Sequence, residues 1–132
     1  MKEITPGVIG EAEVDVTPDT LASKWGSGAV AVFSTPALVG VMEAAAAKAV
    51  EPYLEDGETT VGASVNIAHL APTPPGLKVK ARATLIEAAG RKMVFKVEAW
   101  DDREKVGEGT HERFVVDRER FISKAKKKVA TP

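Results

Sequence analysis

Apolar residues run almost all the way round one stretch of the chain, from Thr35 to Pro52 (Thr35-Pro36-Ala37-Leu38-Val39-Gly40-Val41-Met42-Glu43-Ala44-Ala45-Ala46-Ala47-Lys48-Ala49-Val50-Glu51-Pro52). As a helix it offers water no face until its last turns, so it should be buried. Thr35 fits the N-cap, its hydroxyl accepting an orphan backbone N–H, and Pro36 fits the first helical position, where the missing donor costs nothing. Pro52 marks the end. At about 1.5 Å per residue the helix is about 22 Å long, enough to form the spine of a small domain.

The stretches on either side read as strands. Val8 to Val16 alternates in part, with Ala12, Val14 and Val16 set against Glu11, Glu13 and Asp15. Thr17-Pro18-Asp19-Thr20 turns the chain, and Leu21 to Phe33 reads as a short helical turn followed by a mobile loop around Trp25-Gly26-Ser27-Gly28. A glycine-rich segment entering a buried helix fits a lid, although an ordinary connection is the commoner explanation. Four strand-like runs follow the turn Glu55-Asp56-Gly57-Glu58. Thr60 to Ala71 places Val61, Ala63, Val65, Ile67 and His69 on one face and Gly62, Ser64 and Asn66 on the other. Leu77 to Glu87 has the cleanest alternation, and Lys92 to Trp100 sets Met93, Phe95, Val97 and Ala99 against Lys96 and Glu98. In Lys105 to Val116, Gly107 and Gly109 point to a bulge or a close backbone approach. Asp117 to Lys128 is a polar helix or tail whose Lys124, Lys126, Lys127 and Lys128 form a solvated end.

The order strand, long apolar helix, four strands is α+β. A helix apolar all round needs a curled sheet on one side and a second layer on the other. Only one such helix exists, so the second layer is expected from another copy, a symmetric homodimer.

Composition narrows the function classes. A chain of 132 residues reads as a single domain, 1–132. Charged residues make up 28% and the net charge is −1, so no overall field draws the molecule to nucleic acid or to an anionic membrane. There are no cysteines, and two histidines with no close spacing give no metal-ligand cluster. No stretch reaches the length of a membrane span, and Met1-Lys2-Glu3-Ile4-Thr5-Pro6-Gly7 lacks the apolar core of a signal peptide, so a soluble cytoplasmic protein is the expectation. No phosphate-cradling glycine motif and no Ser/His/Asp pattern is present.

One residue does not fit the helix that carries it. The positions three and four away from Glu43 are Val39, Gly40, Ala46 and Ala47, none able to neutralise a carboxylate. Glu43 therefore needs a partner from elsewhere in the fold, or reaches the rim and meets water or a remote arginine. His69 shares a strand face with Val65 and Ile67 and should point towards the helix layer, where an imidazole can exchange protons with a carboxylate or simply satisfy a backbone carbonyl. Thr35 lies eight residues before Glu43, about 12 Å along the axis, so a reaction using both needs a long ligand or two subunits. His111, in a strand of mixed polarity, reads as structural or paired with a neighbouring charge.

Several segments carry a family resemblance: Val32-Phe33-Ser34-Thr35 leading into Leu38-Val39-Gly40-Val41-Met42-Glu43, Pro52-Tyr53-Leu54-Glu55, Val61-Gly62 through His69, Thr73-Pro74-Pro75-Gly76-Leu77 and Gly109-Thr110-His111-Glu112-Arg113. Their order and spacing, from about Val8 to Phe121, resemble the hot dog fold acyl-CoA thioesterases, specifically the fluoroacetyl-CoA thioesterase-like group. The resemblance implies a long central helix wrapped by a five-stranded antiparallel sheet, a homodimer with acyl-CoA sites at the subunit interface, and thioester hydrolysis with no cofactor beyond the coenzyme A of the substrate. It implies catalytic roles for Thr35, Glu43 and His69 and substrate contacts from Gly62 and Phe33. The chain departs from the pattern at Pro36, where a member of the family has glycine, and in Gly26-Ser27-Gly28-Ala29, which has no aromatic residue to close over a small acyl group. Short-chain or small acyl-CoA esters are accordingly the expected substrates. The alternative is a non-catalytic acyl-CoA or small-ligand binding protein on the same fold, with Thr35 a plain cap and Glu43 a structural carboxylate.

Overall fold

The computed structural model describes residues 1–130. Five strands, β1 (Ile9–Asp15), β2 (Glu58–His69), β3 (Lys78–Ala89), β4 (Lys92–Trp100) and β5 (Lys105–Asp117), form one antiparallel sheet in the order β1-β3-β4-β5-β2. Helix α1 (Ala22–Trp25) is a single turn before the loop, α2 (Thr35–Val50) is the long helix, and α3 (Arg118–Ala130) ends the described chain. The sheet curls round α2, which packs chiefly on β1 and β3. This is the hot dog arrangement.

The alternation predicted for β3 and β4 is what builds the core. Val79, Ala81, Ala83 and Leu85 of β3 and Met93, Phe95, Val97 and Ala99 of β4 are buried against Leu38, Met42, Ala45, Ala46, Ala49 and Val50 of α2. The small residues matter as much as the large ones. A Cβ at Gly10 of β1 would run into the Ala45 carbonyl oxygen and lie 2.5 Å from Ala49 N and 2.8 Å from Ala49 Cα. Strand and helix backbones are in direct contact there and neither can yield cheaply. Gly10→Ala is expected to destabilise the fold by about 1–3 kcal/mol, read as a lowered thermal midpoint.

The helix start differs from expectation. The N-cap is Ser34, extended at φ −79 and ψ 153, whose hydroxyl accepts from Ala37 N at 3.1 Å; Thr35 is the first helical residue and Pro36 the second. Phe33 N donates to the Thr73 carbonyl and Ser34 N to the Thr20 carbonyl, both at 2.8 Å, and these bonds keep the chain extended through Ser34. The Thr35 hydroxyl is thereby released from capping. Ser34→Ala should cost about 1 kcal/mol of stability whereas Thr35→Ala leaves the unfolding midpoint nearly unchanged, a contrast that calorimetry checks. At the other end α2 stops at Val50, and Pro52 sits in a turn of 3-10 helix, Glu51–Tyr53.

Strand β2 also departs from simple alternation. Its pairing with β5 shifts between Gly62 and Ser64, so Ala63 is an extra residue and the two halves of the strand are out of phase. Gly62 lies opposite Arg113, Val65 opposite His111 and His69 opposite Gly107, all on the face towards α2, while Val61 lies opposite Phe114 on the outer face. The single-phase reading therefore misplaced Val61 and Gly62. The close approaches expected at Gly107 and Gly109 are present, the first beneath Leu38 and Met42 and the second against Asn66 and Ile67.

Two surfaces remain open. Gly40 and Ala44 of α2 are exposed and Val39, Glu43 and Ala47 are half-buried, on the side of the helix that its own sheet does not cover. The middle of the edge strand β2, Gly62 to Asn66, is exposed as well. No helix among the described residues is long and apolar enough to cross a membrane.

Candidate active site

Glu43 finds its partner on β5. Its Oε2 lies 3.4 Å from Nη1 of Arg113, a residue only 7% exposed. The Arg113 guanidinium is held on three sides: Nε donates to Thr60 Oγ1 at 3.0 Å, Nη2 to the Thr60 carbonyl at 3.0 Å, and Nη1 lies 3.2 Å from His111 Nε2. Burial pushes the Arg113 pKa down and the Glu43 carboxylate pushes it back up. Such a group remains a cation, so the pocket supplies one buried positive charge for one carboxylate. The Glu43 side chain itself stays 40% accessible, so its outer end is free to meet a ligand.

The carboxylate lies against bare backbone. A Cβ at Gly62 would sit 2.5 Å from Glu43 Oε2 and 3.3 Å from His111 Cε1, so only glycine leaves room for the acid at this height of β2. His111, 1% exposed, is tied to β2 by a 2.8 Å hydrogen bond between Nδ1 and the Ser64 carbonyl.

A second group lies at the far end of the same strand. Thr35 Oγ1 is 2.8 Å from His69 Nδ1. The buried Nε2 of His69 has no hydrogen-bond partner among the described residues. Thr35 and His69 line a cavity of about 340 Å³ with Phe33, Leu70, Ala71 and Pro72. A neutral imidazole with one nitrogen on a hydroxyl and the other buried without a partner, in a residue that lines the cavity, can take up and pass on a proton.

Thus Glu43 is joined with Gly62, and Thr35 with His69 and Phe33, but the two groups are not joined within one chain. His69 is seven residues from Gly62, about 23 Å along an extended strand. The sequence reading found no role for Arg113, Thr60 or the Ser64 carbonyl. Strand period carried a signal: Gly107, Gly109, His111, Arg113 and Val115 share the inner face of β5, and a buried arginine there needs an acid.

Both histidines are held neutral by burial, which lowers each pKa; at His111 the Arg113 charge adds to this while the Ser64 hydrogen bond and Glu43 oppose it. The unfolded chain therefore takes up protons near pH 6.5 that the folded chain refuses. Stability should be full above that pH and decline as pH falls through the lowered folded values. Denaturant titrations from pH 7.5 to 5 should show this slope, reduced in His69→Gln.

Comparisons with known proteins bear on the family and the fold. Residues 16–119 match the model of the family described as FlK, fluoroacetyl-CoA-specific thioesterase. The fluoroacetyl-CoA thioesterase of Streptantibioticus cattleyicolor is 43% identical over 97 residues, covering 74% of this chain and 70% of that protein. A solved variant of FlK in complex with acetyl-CoA superimposes with a TM-score of 0.90 at 34% identity, over 98% of this chain and 100% of that one. A thioesterase superfamily member from Thermus thermophilus, TTHA0967, superimposes with a TM-score of 0.89 at 28% identity over the whole of both chains. On the extent of the family match and the 43% identity to a curated member, the chain belongs to the fluoroacetyl-CoA-specific thioesterase family.

Proposed function

We propose that the protein is an acyl-CoA thioesterase that hydrolyses short-chain or small acyl-CoA thioesters to the free acid and coenzyme A. The observation that carries this reading is the placement of Glu43. One oxygen is held between a buried cation and the bare backbone at Gly62 while the outer end of the side chain stays accessible, so a thioester can approach the acid from its open side.

The working site is formed by two copies of the chain. Antiparallel pairing of two β2 edges across their exposed middles carries the His69 end of one strand towards the Gly62 end of the other. The uncovered apolar side of α2 meets its symmetry mate in the same step, which accounts for a helix with no polar face. Glu43 of one copy then faces Thr35 and His69 of the partner subunit. Glu43 activates a water that adds to the thioester carbon, or attacks that carbon itself to give an anhydride that water then opens; the Thr35 hydroxyl assists, neutral His69 orients the carboxylate or takes up a proton of that water and passes it to the departing thiolate, and a backbone N–H at Gly62 steadies the oxyanion. The residues supply acid, base and oxyanion donor, and the acyl group occupies the cavity bounded by Phe33.

The test is release of free thiol from a panel of acyl-CoA esters, acetyl to medium-chain and aryl-acetyl, with Glu43→Ala alongside and the mass in solution measured by sedimentation. Turnover of a panel member that is lost in Glu43→Ala, from a dimer, is the expected result. A folded dimer that binds the esters without turnover would establish the binding-protein reading instead.

A further inference from the structure

The arrangement round Arg113 contains a residue to which hydrolysis as described above assigns no task. His111 is buried in the inner face of β5, packed beside the Phe95 ring of β4 with centroids 6.3 Å apart. Its two nitrogens meet groups of opposite character. The Ser64 carbonyl, 2.8 Å from Nδ1, can only accept, so Nδ1 carries the proton. Arg113 Nη1, 3.2 Å from Nε2, can only donate, so Nε2 must be bare. Both requirements are met by one species, the neutral Nδ1–H tautomer.

The mechanical consequence follows from the shape of the guanidinium. Nε and Nη2 lie along one edge of the plane, and both bond to a single residue, Thr60, through its hydroxyl and its carbonyl. Two bonds along one edge make a hinge. Nη1 is on the opposite side, and its contacts are His111 Nε2 and Glu43 Oε2. Remove the imidazole acceptor and the plane can swing about the Thr60 edge, taking with it the one cation that holds Glu43.

We propose that His111 is a positioning residue for hydrolysis: anchored through Nδ1–H to the β2 backbone at Ser64, it uses bare Nε2 to fix the far edge of the Arg113 guanidinium and so aims the Glu43 carboxylate at the thioester. This rests on Glu43 being the reacting carboxylate. The chain Ser64 carbonyl, His111, Arg113, Glu43 ties the acid on α2 to the strand whose backbone at Gly62 it must face. Positions 60, 62 and 64 of β2 therefore register the acid, the bare backbone and the oxyanion donor against one another.

Three substitutions separate positioning from packing. His111→Phe keeps the ring volume beside Phe95 but has no acceptor. His111→Asn keeps a donor for the Ser64 carbonyl but falls short of Arg113. His111→Gln places an amide oxygen where Nε2 sits. The expected result is kcat lowered about tenfold in the Phe and Asn variants with KM unchanged, and most of that loss restored by Gln. Nitrogen-15 spectra of the free protein give a readout independent of turnover. Nδ1 should be protonated and Nε2 bare, and the Arg113 Nη protons should exchange slowly in wild type and Gln but rapidly in Phe and Asn. Wild-type kcat in His111→Phe, losses that follow the thermal midpoint instead of the acceptor, a protonated Nε2, or Arg113 signals indifferent to the Phe change would each overturn the inference. If wild type turned over no ester, or Glu43→Ala had no effect, the thioesterase reading would fall while the nitrogen spectra still decided whether His111 holds Arg113.

Discussion

Glu43→Gln is expected to lower kcat for thioester hydrolysis about a thousandfold while leaving the fold and the affinity for acyl-CoA close to wild type. The amide keeps the size of the carboxylate, and its oxygen can still accept from Arg113 Nη1 at the place Oε2 occupies, 3.4 Å away. What it loses is the negative charge and the basic lone pair that attack on a thioester needs. Stability should change little, because the Glu43 side chain is 40% accessible and Arg113 retains its bonds to Thr60 and His111. Comparing kcat, KM and the thermal midpoint of the two proteins is sufficient. A Gln variant that hydrolyses at the wild-type rate would remove Glu43 from the chemistry and leave it as the counter-ion of a buried arginine.

The helix and all five strands were legible in outline, β3 and β4 most clearly because their periodicity is simple. Val79 to Leu85 and Met93 to Ala99 alternate cleanly, and a helix apolar on all sides can only be a spine. The oddity of Glu43 was legible for the same reason, as a charge where the pattern has no place for one. What failed to show was long-range or one residue out of step. Nothing local distinguishes Ser34 from Thr35 as the cap; bonds from Ser34 to Thr20 and from Phe33 to Thr73 decide it, and these partners are far apart in sequence. The bulge at Ala63 has no proline or run of glycine to announce it, yet it reverses the face of everything before it. The partner of Glu43 lies 70 residues away, and Arg113 in a mixed stretch such as Thr110-His111-Glu112-Arg113 looks like one more surface charge until β5 is placed between β4 and β2 with Arg113 on the inner face.

The consequence of that reversed face is a second large effect, at Gly62. Gly62→Ala is expected to lower kcat about a hundredfold with little loss of stability. The backbone there does not have a positive φ, so an alanine meets no conformational strain. Its methyl group would instead lie 2.5 Å from Glu43 Oε2, which is the far end of a flexible side chain. The carboxylate can swing aside, and doing so breaks its contact with Arg113 and moves it from the reacting position. Gly10→Ala makes the opposite case from the same chemical change: the methyl meets helix backbone at Ala45 and Ala49, so stability falls and any enzyme that still folds keeps its acid in place. Measured side by side, the two variants separate packing from positioning. Gly62→Ala should lose kcat at a nearly unchanged thermal midpoint, and Gly10→Ala should lose the midpoint at a nearly unchanged kcat. An active Gly62→Ala protein would mean that Glu43 does its work from a position the glycine does not govern.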